Sequence, residues 1–300
     1  MWLARRRTQQ TPGAAAGRST CMVLLRCALA SLAALASGCG ASLSGVQPAR
    51  LTPESHLSMS TSISVNAPVG SAGDTLETLR DLSTVEGVLD PPEIELLSAA
   101  VNGGALNPPM VDPSVSLAYG AHRLVELGAR IGGSHIGIQG RVQVLRVAPG
   151  IYGVIGIQLT SSLSTLPVNR FNDRVFVERY RRLDVGFPLL LGYSSSRVHL
   201  WAGPKLLVSR VRTRGHLCVR ENDACADQVT FRGTGSLRYV AGQLGIALGK
   251  RRFWIALELT IARLRGDGML RGERGSTVME FAYDPDGRVV QPAIGLIAWF

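Results

Sequence analysis

The histidines of this chain are the first residues to consider for chemistry. The sequence contains five of them: His56, His122, His135, His199 and His216. Only His216 lies in a predicted long loop with acidic residues nearby, Asp223 and Asp227, and no known catalytic spacing surrounds them. The chain has no Ser–His arrangement and no His-Glu-x-x-His run, and its glycine-rich segments lack the following helix that a phosphate loop requires. The sequence therefore predicts a protein that is not an enzyme and that holds no metal and no cofactor.

Two cysteines enclose a short polar segment in the last third of the chain. Cys218 and Cys225 bracket Val-Arg-Glu-Asn-Asp-Ala. In an oxidising compartment, two lone cysteines this close favour a small-loop disulfide. A metal site needs more ligands than two thiolates, and His216 alone does not complete one. We therefore expect a Cys218–Cys225 disulfide.

A second set of candidates consists of charged residues that share the alternating phase of Gly, Gln, Tyr and Trp. They are Glu126, Arg130, Arg141, Asp184, Lys205 and Glu258. A single charge on such an interior face is costly, so these residues should pair, and three carboxylates can neutralise three cations. The structural interpretation is a polar network that fills a narrow lumen. The alternative is a charged constriction that selects small solutes.

A third set consists of arginines at the far ends of the predicted segments and in the loops that follow. They are Arg174, Arg179, Arg181, Arg182, Arg210, Arg212, Arg214, Arg263 and Arg265. A guanidinium group binds phosphate through two parallel hydrogen bonds, so this set predicts a contact with an anionic surface ligand. The alternative is a solvated face in an arginine-biased chain, because only Lys205 and Lys250 are lysines among 32 basic residues.

The elements that must position these residues are indicated by a period-two alternation of apolar side chains. It recurs in ten segments, at 57–65, 115–119, 125–131, 136–144, 151–159, 183–191, 198–208, 237–248, 253–261 and 290–300. Mean hydropathy is +0.17 and only 18% of residues are charged, which excludes a disordered chain. No apolar run of ~20 residues occurs in the C-terminal part, which excludes a helical membrane bundle.

The links between these segments differ in length according to their parity. They are short after the second, fourth, sixth and eighth segments, and long after the first, fifth, seventh and ninth, at 67–113, 162–176, 212–235 and 266–288. This parity, which only a short third link breaks, is typical of barrels with short turns at one end and long outer loops at the other. The sequence predicts an all-β fold, an up-and-down antiparallel transmembrane β-barrel of ten strands over residues 57–300. An eight-stranded barrel that leaves the first strand outside is the alternative. Helical periodicity predicts short helices at 74–82 and 92–100 in the first outer loop.

The N-terminal region has the layout of a secretory signal. Residues 1–38 contain five arginines and no acid, followed by a short apolar stretch and small residues before Cys39. Leu35-Ala36-Ser37-Gly38-Cys39 resembles the lipobox of bacterial lipoproteins, which implies acylation of Cys39, and Gly40 implies sorting to the outer membrane. We expect a lipoprotein signal peptide at 1–38, a periplasmic linker at 39–56 and a lipid anchor on the periplasmic side, with the long loops extracellular. An ordinary signal peptide that leaves Cys39 an incidental thiol, and a start at Met22, remain open.

The C-terminus carries a second resemblance. Pro292, Ile294, Leu296, Ala298 and Phe300 lie on one face of the last segment. This resembles the terminal signal of Gram-negative outer-membrane barrels, which implies a contact with the barrel-assembly machinery. Residues 1–38 contribute five arginines to the net charge of +10, so the chain without them carries +5. An exported chain is not expected to bind nucleic acid.

The sequence thus predicts a monomeric outer-membrane β-barrel lipoprotein with a structural or surface-binding function. Its expected partners are membrane lipid and lipopolysaccharide, contacted through the arginine-rich outer rim. The alternative function is a narrow channel or transport component for small solutes. The channel would be narrow because ten strands enclose a lumen too small for free diffusion.

Overall fold

The described part of the chain is a single sheet of eleven strands. A computed structural model describes residues 41–69, 110–133, 135–147, 150–162, 175–219 and 227–300. The strands are β1 (Leu57–Val69), β2 (Met110–His122), β3 (Val125–Gly132), β4 (His135–Arg146), β5 (Ile151–Ser162), β6 (Val175–Ser194), β7 (Val198–Cys218), β8 (Gln228–Lys250), β9 (Phe253–Arg274), β10 (Thr277–Tyr283) and β11 (Asp286–Trp299). The predicted signal peptide, both predicted helices, Cys39, Arg174 and Cys225 lie outside the described residues. In the part that the structure describes, no helix is long and apolar enough to cross a membrane.

The sheet closes on itself. Each strand from β1 to β9 pairs antiparallel with the next one in the chain, and β9 also pairs with β11. The ring is completed by β11, which pairs antiparallel with β1 from Trp299 opposite Ser58 to Arg288 opposite Val69. The first strand is therefore flanked on both sides, so the eight-stranded alternative is not the observed ring.

The last two strands share one position in the ring. Both pair with β9, β10 along residues 268–274 and β11 along residues 253–265. They are separated at Pro285, which has no N–H to donate to the ladder; its carbonyl oxygen accepts the Gly266 N–H at 3.0 Å. Eleven strands thus occupy ten positions.

The strands are staggered, and the stagger determines the width of the barrel. Following paired residues once round the ring from Leu57 leads back to β1 at Val69. A sheet with this shear closes with strongly tilted strands, and about ten tilted strands enclose an interior that side chains and one chain segment can fill.

The two faces of the sheet have different chemistry. Along β9 the outward side chains begin with Phe253, Ile255 and Leu257, which are 53–67% exposed, whereas the intervening Trp254 and Ala256 are at most 3% exposed. Every strand contributes at least one exposed large apolar side chain. An apolar exterior round a closed ring of paired strands is what a hydrocarbon environment requires, because lipid offers no partner for backbone groups.

Nine of the ten predicted segments lie wholly within strands and the tenth extends past β11 only at Phe300, but the predicted long loops are partly wrong. Strands β7, β8 and β9 continue through much of 212–235 and 266–288, and β1 and β2 include residues 67–69 and 110–113 of the first predicted loop. We call the ring of exposed apolar side chains, which includes Phe253 and Leu257, the apolar belt. Beyond this belt the outward-facing residues are no longer regularly apolar, so the period-two alternation ends there. Inward-facing apolar residues continue past this point, with Val211 and Leu217 buried on β7, and the hydrogen-bonded pairing of the strands continues as well.

Candidate functional sites: the filled lumen and the arginine band

Residues 41–52, here called the lumen segment, lie inside the ring. They are neither helix nor strand, and nearly all are buried. Val46 and Ala49 pack with Trp254 and Ile297, close to the end that carries the short turns at 123–124, 195–197 and 251–252, which we call the turn end. Leu43 packs with Tyr239 and Leu264, toward the opposite end, which we call the rim end. The predicted periplasmic linker is therefore wrong for these residues, because the segment runs up the lumen.

The amide groups of the lumen segment donate to side chains of the barrel wall. Leu43 N and Ser44 N both donate to Gln291 Oε1, at 2.9 and 3.0 Å. Gly45 N donates to Glu258 Oε1 at 3.1 Å. Near the turn end, Thr52 N donates to Glu126 Oε2 at 2.7 Å.

The carbonyl groups of the segment accept from three cations on the wall. Lys205 Nζ donates to Leu43 O at 2.7 Å. Arg130 Nη1 donates to Ser44 O, and Arg141 Nη1 donates to Pro48 O at 2.8 Å. Backbone groups that would be unsatisfied inside a barrel thus have charged or amide partners, which is the condition for burying them.

The six charges that the sequence places on the interior phase all lie in the lumen. Glu126, Arg130, Arg141, Asp184, Lys205 and Glu258 are between 1% and 7% exposed. Of these six, only Glu126 and Arg141 form an ion pair with each other, with Arg141 Nε and Nη2 both donating to Glu126 Oε1 at 2.8 and 2.6 Å. Glu258 accepts instead from Ser44 Oγ and from Trp201 Nε1, at 2.7 and 3.0 Å.

Two ion-pair partners in the lumen were missed by the sequence analysis. Arg130 lies 3.5 Å from Asp112, and Arg182 Nε donates to Asp184 Oδ1 at 2.8 Å. Asp112 falls within the predicted outer loop 67–113, but it lies in β2. The prediction that Arg182 belongs to the outer rim is wrong, because this residue is 3% exposed and also donates to Tyr239 Oη at 3.1 Å. It has the same parity as Asp184, so its inward orientation could have been inferred.

The turn end of the lumen is covered by aromatic rings. The His199 ring lies 3.9 Å from the Trp254 ring, centroid to centroid, and 5.4 Å from that of Trp299. The Arg50 guanidinium lies 5.1 Å above the Trp299 ring. A cavity of about 20 Å³ remains beside the lumen segment near Glu126. That is room for one water molecule.

The lumen segment leaves the barrel by passing close over β2. Ser55 N donates to Gly120 O at 2.8 Å, and Glu54 forms an isolated bridge with Gly120. A Cβ at residue 120 would overlap the carbonyl oxygens of Thr52 and Pro53. The absence of a side chain at Gly120 therefore permits this exit.

On the exterior, arginines replace apolar side chains toward the rim end. On β9 the outward residues change from Leu259 and Ile261 to Arg263 and Arg265, and on β7 from Leu206 to Arg210. We call the exposed arginines of this region the arginine band. Its members are Arg179, Arg181, Arg210, Arg212, Arg214, Arg232, Arg238, Arg263, Arg265, Arg271 and Arg288.

Strand register places members of the band directly opposite one another. The pairs are Arg179–Arg214, Arg181–Arg212, Arg214–Arg232, Arg232–Arg271, Arg238–Arg265 and Arg263–Arg288. Like charges in directly opposite positions destabilise a sheet. Asp286 offsets part of this repulsion, 3.3 Å from Arg263 and 3.8 Å from Arg265. Within the described residues no carboxylate lies within ion-pair distance of Arg181 or Arg212.

Three other predicted site residues have definite places. Cys218 is the last residue of β7 and is buried, but its predicted partner lies outside the described residues, so the disulfide stays a prediction. His216 stacks on Phe176 with ring centroids 4.9 Å apart, and its Nδ1 lies 3.1 Å from Glu178 Oε1. Asp227 forms an ion pair with Arg274.

The closed ring and its apolar exterior together define a membrane-spanning β-barrel, the architecture of outer-membrane proteins. No protein-family model matches the sequence, and no curated protein matches it.

The chain is similar to solved structures of two outer membrane proteins and of a channel. The outer membrane protease OmpT from Escherichia coli is 10% identical, with 83% of this chain and 98% of that chain covered at a TM-score of 0.47. A major outer membrane protein from Thermus thermophilus is 9% identical, with 81% and 99% covered at 0.36. The CymD monoaromatic hydrocarbon channel is 9% identical, with 84% and 90% covered at 0.24. At these scores the likeness carries no inference about what this chain binds or does.

Proposed function

We propose that this protein is an outer-membrane β-barrel that binds the phosphate groups of lipopolysaccharide through the arginine band. The observation that supports it is the register pairing of exposed arginines directly above the apolar belt. Such a band gains stability from an anionic partner, and guanidinium groups bind phosphate in a bidentate manner. The turn end then faces the periplasm and the rim end faces outward, in the orientation usual for barrels of this kind.

The filled lumen supports a surface-binding or structural function over an open channel. Seven backbone groups of the lumen segment are hydrogen-bonded to wall side chains. A segment held in this way obstructs solute flow through the lumen. We expect the intact protein to be silent in planar bilayers, and discrete conductance steps would favour the alternative of a narrow channel.

The test of phosphate binding uses one register pair, Arg181 and Arg212, neither of which has a carboxylate partner among the described residues. The double variant Arg181→Gln with Arg212→Gln removes one register pair and leaves the lumen untouched. Its affinity for purified lipopolysaccharide should fall about tenfold or more, because a hydrogen bond to a charged group is worth about 1.5–3 kcal/mol. Affinity is measured by titration of the refolded barrel, and by the amount of lipopolysaccharide that co-purifies with it.

A matched control removes the same charge at the other end of the barrel. Arg197 and Arg252 are exposed residues of the turns at the turn end. The variant Arg197→Gln with Arg252→Gln should bind lipopolysaccharide as the parent does. Equal loss in both variants would show that only net charge matters, and no loss in the band variant would refute the proposal.

A further inference from the structure

The barrel wall does not depend on the lumen segment for its backbone hydrogen bonds. Every ring position pairs with a neighbour on each side, and residues 41–52 take part in none of these ladders. The segment is bonded to side chains on β3, β4, β7, β9 and β11. The lumen segment is therefore bound inside the barrel by side chains of several strands, and it is not an element of the sheet.

The side chains of the barrel wall bind mainly backbone groups of the lumen segment. Carboxylate and amide oxygens of Glu126, Glu258 and Gln291 accept its N–H groups, while Lys205, Arg130 and Arg141 donate to its C=O groups. These backbone groups are common to every peptide, so the contacts do not depend on side-chain identity. Shape adds some selectivity: Leu43 and Val46, both 0% exposed, fill two apolar clusters of the wall.

The charges on the wall restrict which peptide fits. Residues 41–49, Ala-Ser-Leu-Ser-Gly-Val-Gln-Pro-Ala, carry no charge. The buried wall charges are already engaged with one another or with backbone groups, so an added charged side chain would be buried without a partner at high cost. The small side chains of the segment allow the wall cations to reach its carbonyl oxygens.

We propose that the lumen is a binding site for a peptide that is uncharged over the part corresponding to residues 41–49, occupied in the resting protein by the chain's own residues 41–52. A peptide in trans with small side chains and an aliphatic residue at the place of Leu43 takes the same position. This inference is independent of the arginine band, since it concerns only inward-facing groups.

The experiment separates the lumen segment from the barrel by cleavage of the chain, so that an added peptide can replace it. A protease recognition site is inserted between Glu54 and Ser55, both exposed at the turn end, and the full chain is refolded before it is cut. The probe is a fluorescein-labelled synthetic peptide with the sequence of residues 41–52. It should enter the cut barrel in place of the released fragment and should not enter the uncut one. Fluorescence of Trp201, Trp254 and Trp299 reports the exchange, and mobility on unheated detergent gels shows that the barrel remains folded.

Backbone recognition is tested with a second peptide, N-methylated at the residues corresponding to Ser44 and Gly45. It keeps every side chain but loses the N–H groups that Gln291 and Glu258 accept, so its affinity should fall about tenfold or more. A peptide with the small residues permuted and the aliphatic position kept should bind within about tenfold of the parent, because its backbone groups are unchanged. On the wall, Glu258→Gln should weaken binding of the parent peptide.

The outcomes separate cleanly. Exchange in the cut barrel, together with failure of the N-methylated peptide, supports the site. Equal affinity of the methylated and unmethylated peptides overturns backbone recognition. Absence of exchange at millimolar peptide, or collapse of the barrel when the fragment leaves, overturns the site itself.

Discussion

The ion pair between Glu126 and Arg141 offers a quantitative test of the lumen. Both side chains are at most 4% exposed, and two guanidinium nitrogens share one carboxylate oxygen. Removing one partner of such a pair leaves a buried charge uncompensated, which costs about 3–5 kcal/mol. We therefore expect Glu126→Gln and Arg141→Met each to lower the free energy of unfolding by about that amount.

The double variant should be far less destabilised than the sum of the two single ones. With both charges gone, no buried ion of this pair is left, and the remaining cost comes from Pro48 O, which loses its donor, whereas the amide oxygen of the substituted glutamine still accepts from Thr52 N. An unsatisfied group of this kind costs about 1–3 kcal/mol, so the expected loss in the double variant is about 1–3 kcal/mol. That result leaves a coupling energy of several kcal/mol between the two residues.

The measurement is guanidinium unfolding of the barrel in phospholipid vesicles, followed by tryptophan fluorescence and by mobility on unheated detergent gels. Glu280→Gln, which removes an exposed carboxylate on β10, is the control and should change stability by less than about 0.5 kcal/mol. If the two lumen substitutions are additive within about 0.5 kcal/mol, the residues are not coupled and the described network is wrong.

Three further predictions follow from single positions. Gly120→Ala should lower the free energy of unfolding by about 2 kcal/mol or more, because its new methyl group overlaps the chain at the exit of the lumen segment, whereas Gly242→Ala meets nothing within 4 Å and should be neutral within about 0.5 kcal/mol. Cys218 and Cys225 should resist alkylation in the exported protein until it is reduced, and alkylation without reduction would contradict the disulfide. Mass spectrometry of the exported protein should find an N-terminal Cys39 carrying acyl chains, and an unmodified terminus at another residue would refute the lipobox interpretation.

The barrel itself could be predicted because a sheet with two environments leaves a period-two record in the sequence. Inward residues such as Arg130 and Glu258 were placed on the correct phase without any knowledge of their contacts. The record ends at the edge of the apolar belt, where Arg263 follows Ile261 on the outward face. Beyond that edge, strands with polar exteriors resemble loops, which is why the outer parts of β7, β8 and β9 were missed.

The lumen segment could not be predicted by the same reasoning. Its residues show no periodicity, and its partners are distant in sequence, as Ser44 and Gln291 illustrate. A run of Ala, Ser, Gly and Pro after a signal peptide is typical of a flexible linker, and only the closed ring shows that the segment is enclosed. The unexpected role of Lys205 has the same origin, since a lysine predicted to pair with a carboxylate instead binds the carbonyl oxygen of Leu43.

The lumen segment also constrains the expected lipid anchor. Ala41 packs with Tyr239 and Leu264, toward the rim end of the barrel. Two residues of extended chain span only about 7 Å, so Cys39 cannot reach the membrane leaflet at the turn end while Ala41 holds this position. Anchoring of Cys39 in the leaflet at the turn end would therefore require the lumen segment to leave its place in the barrel.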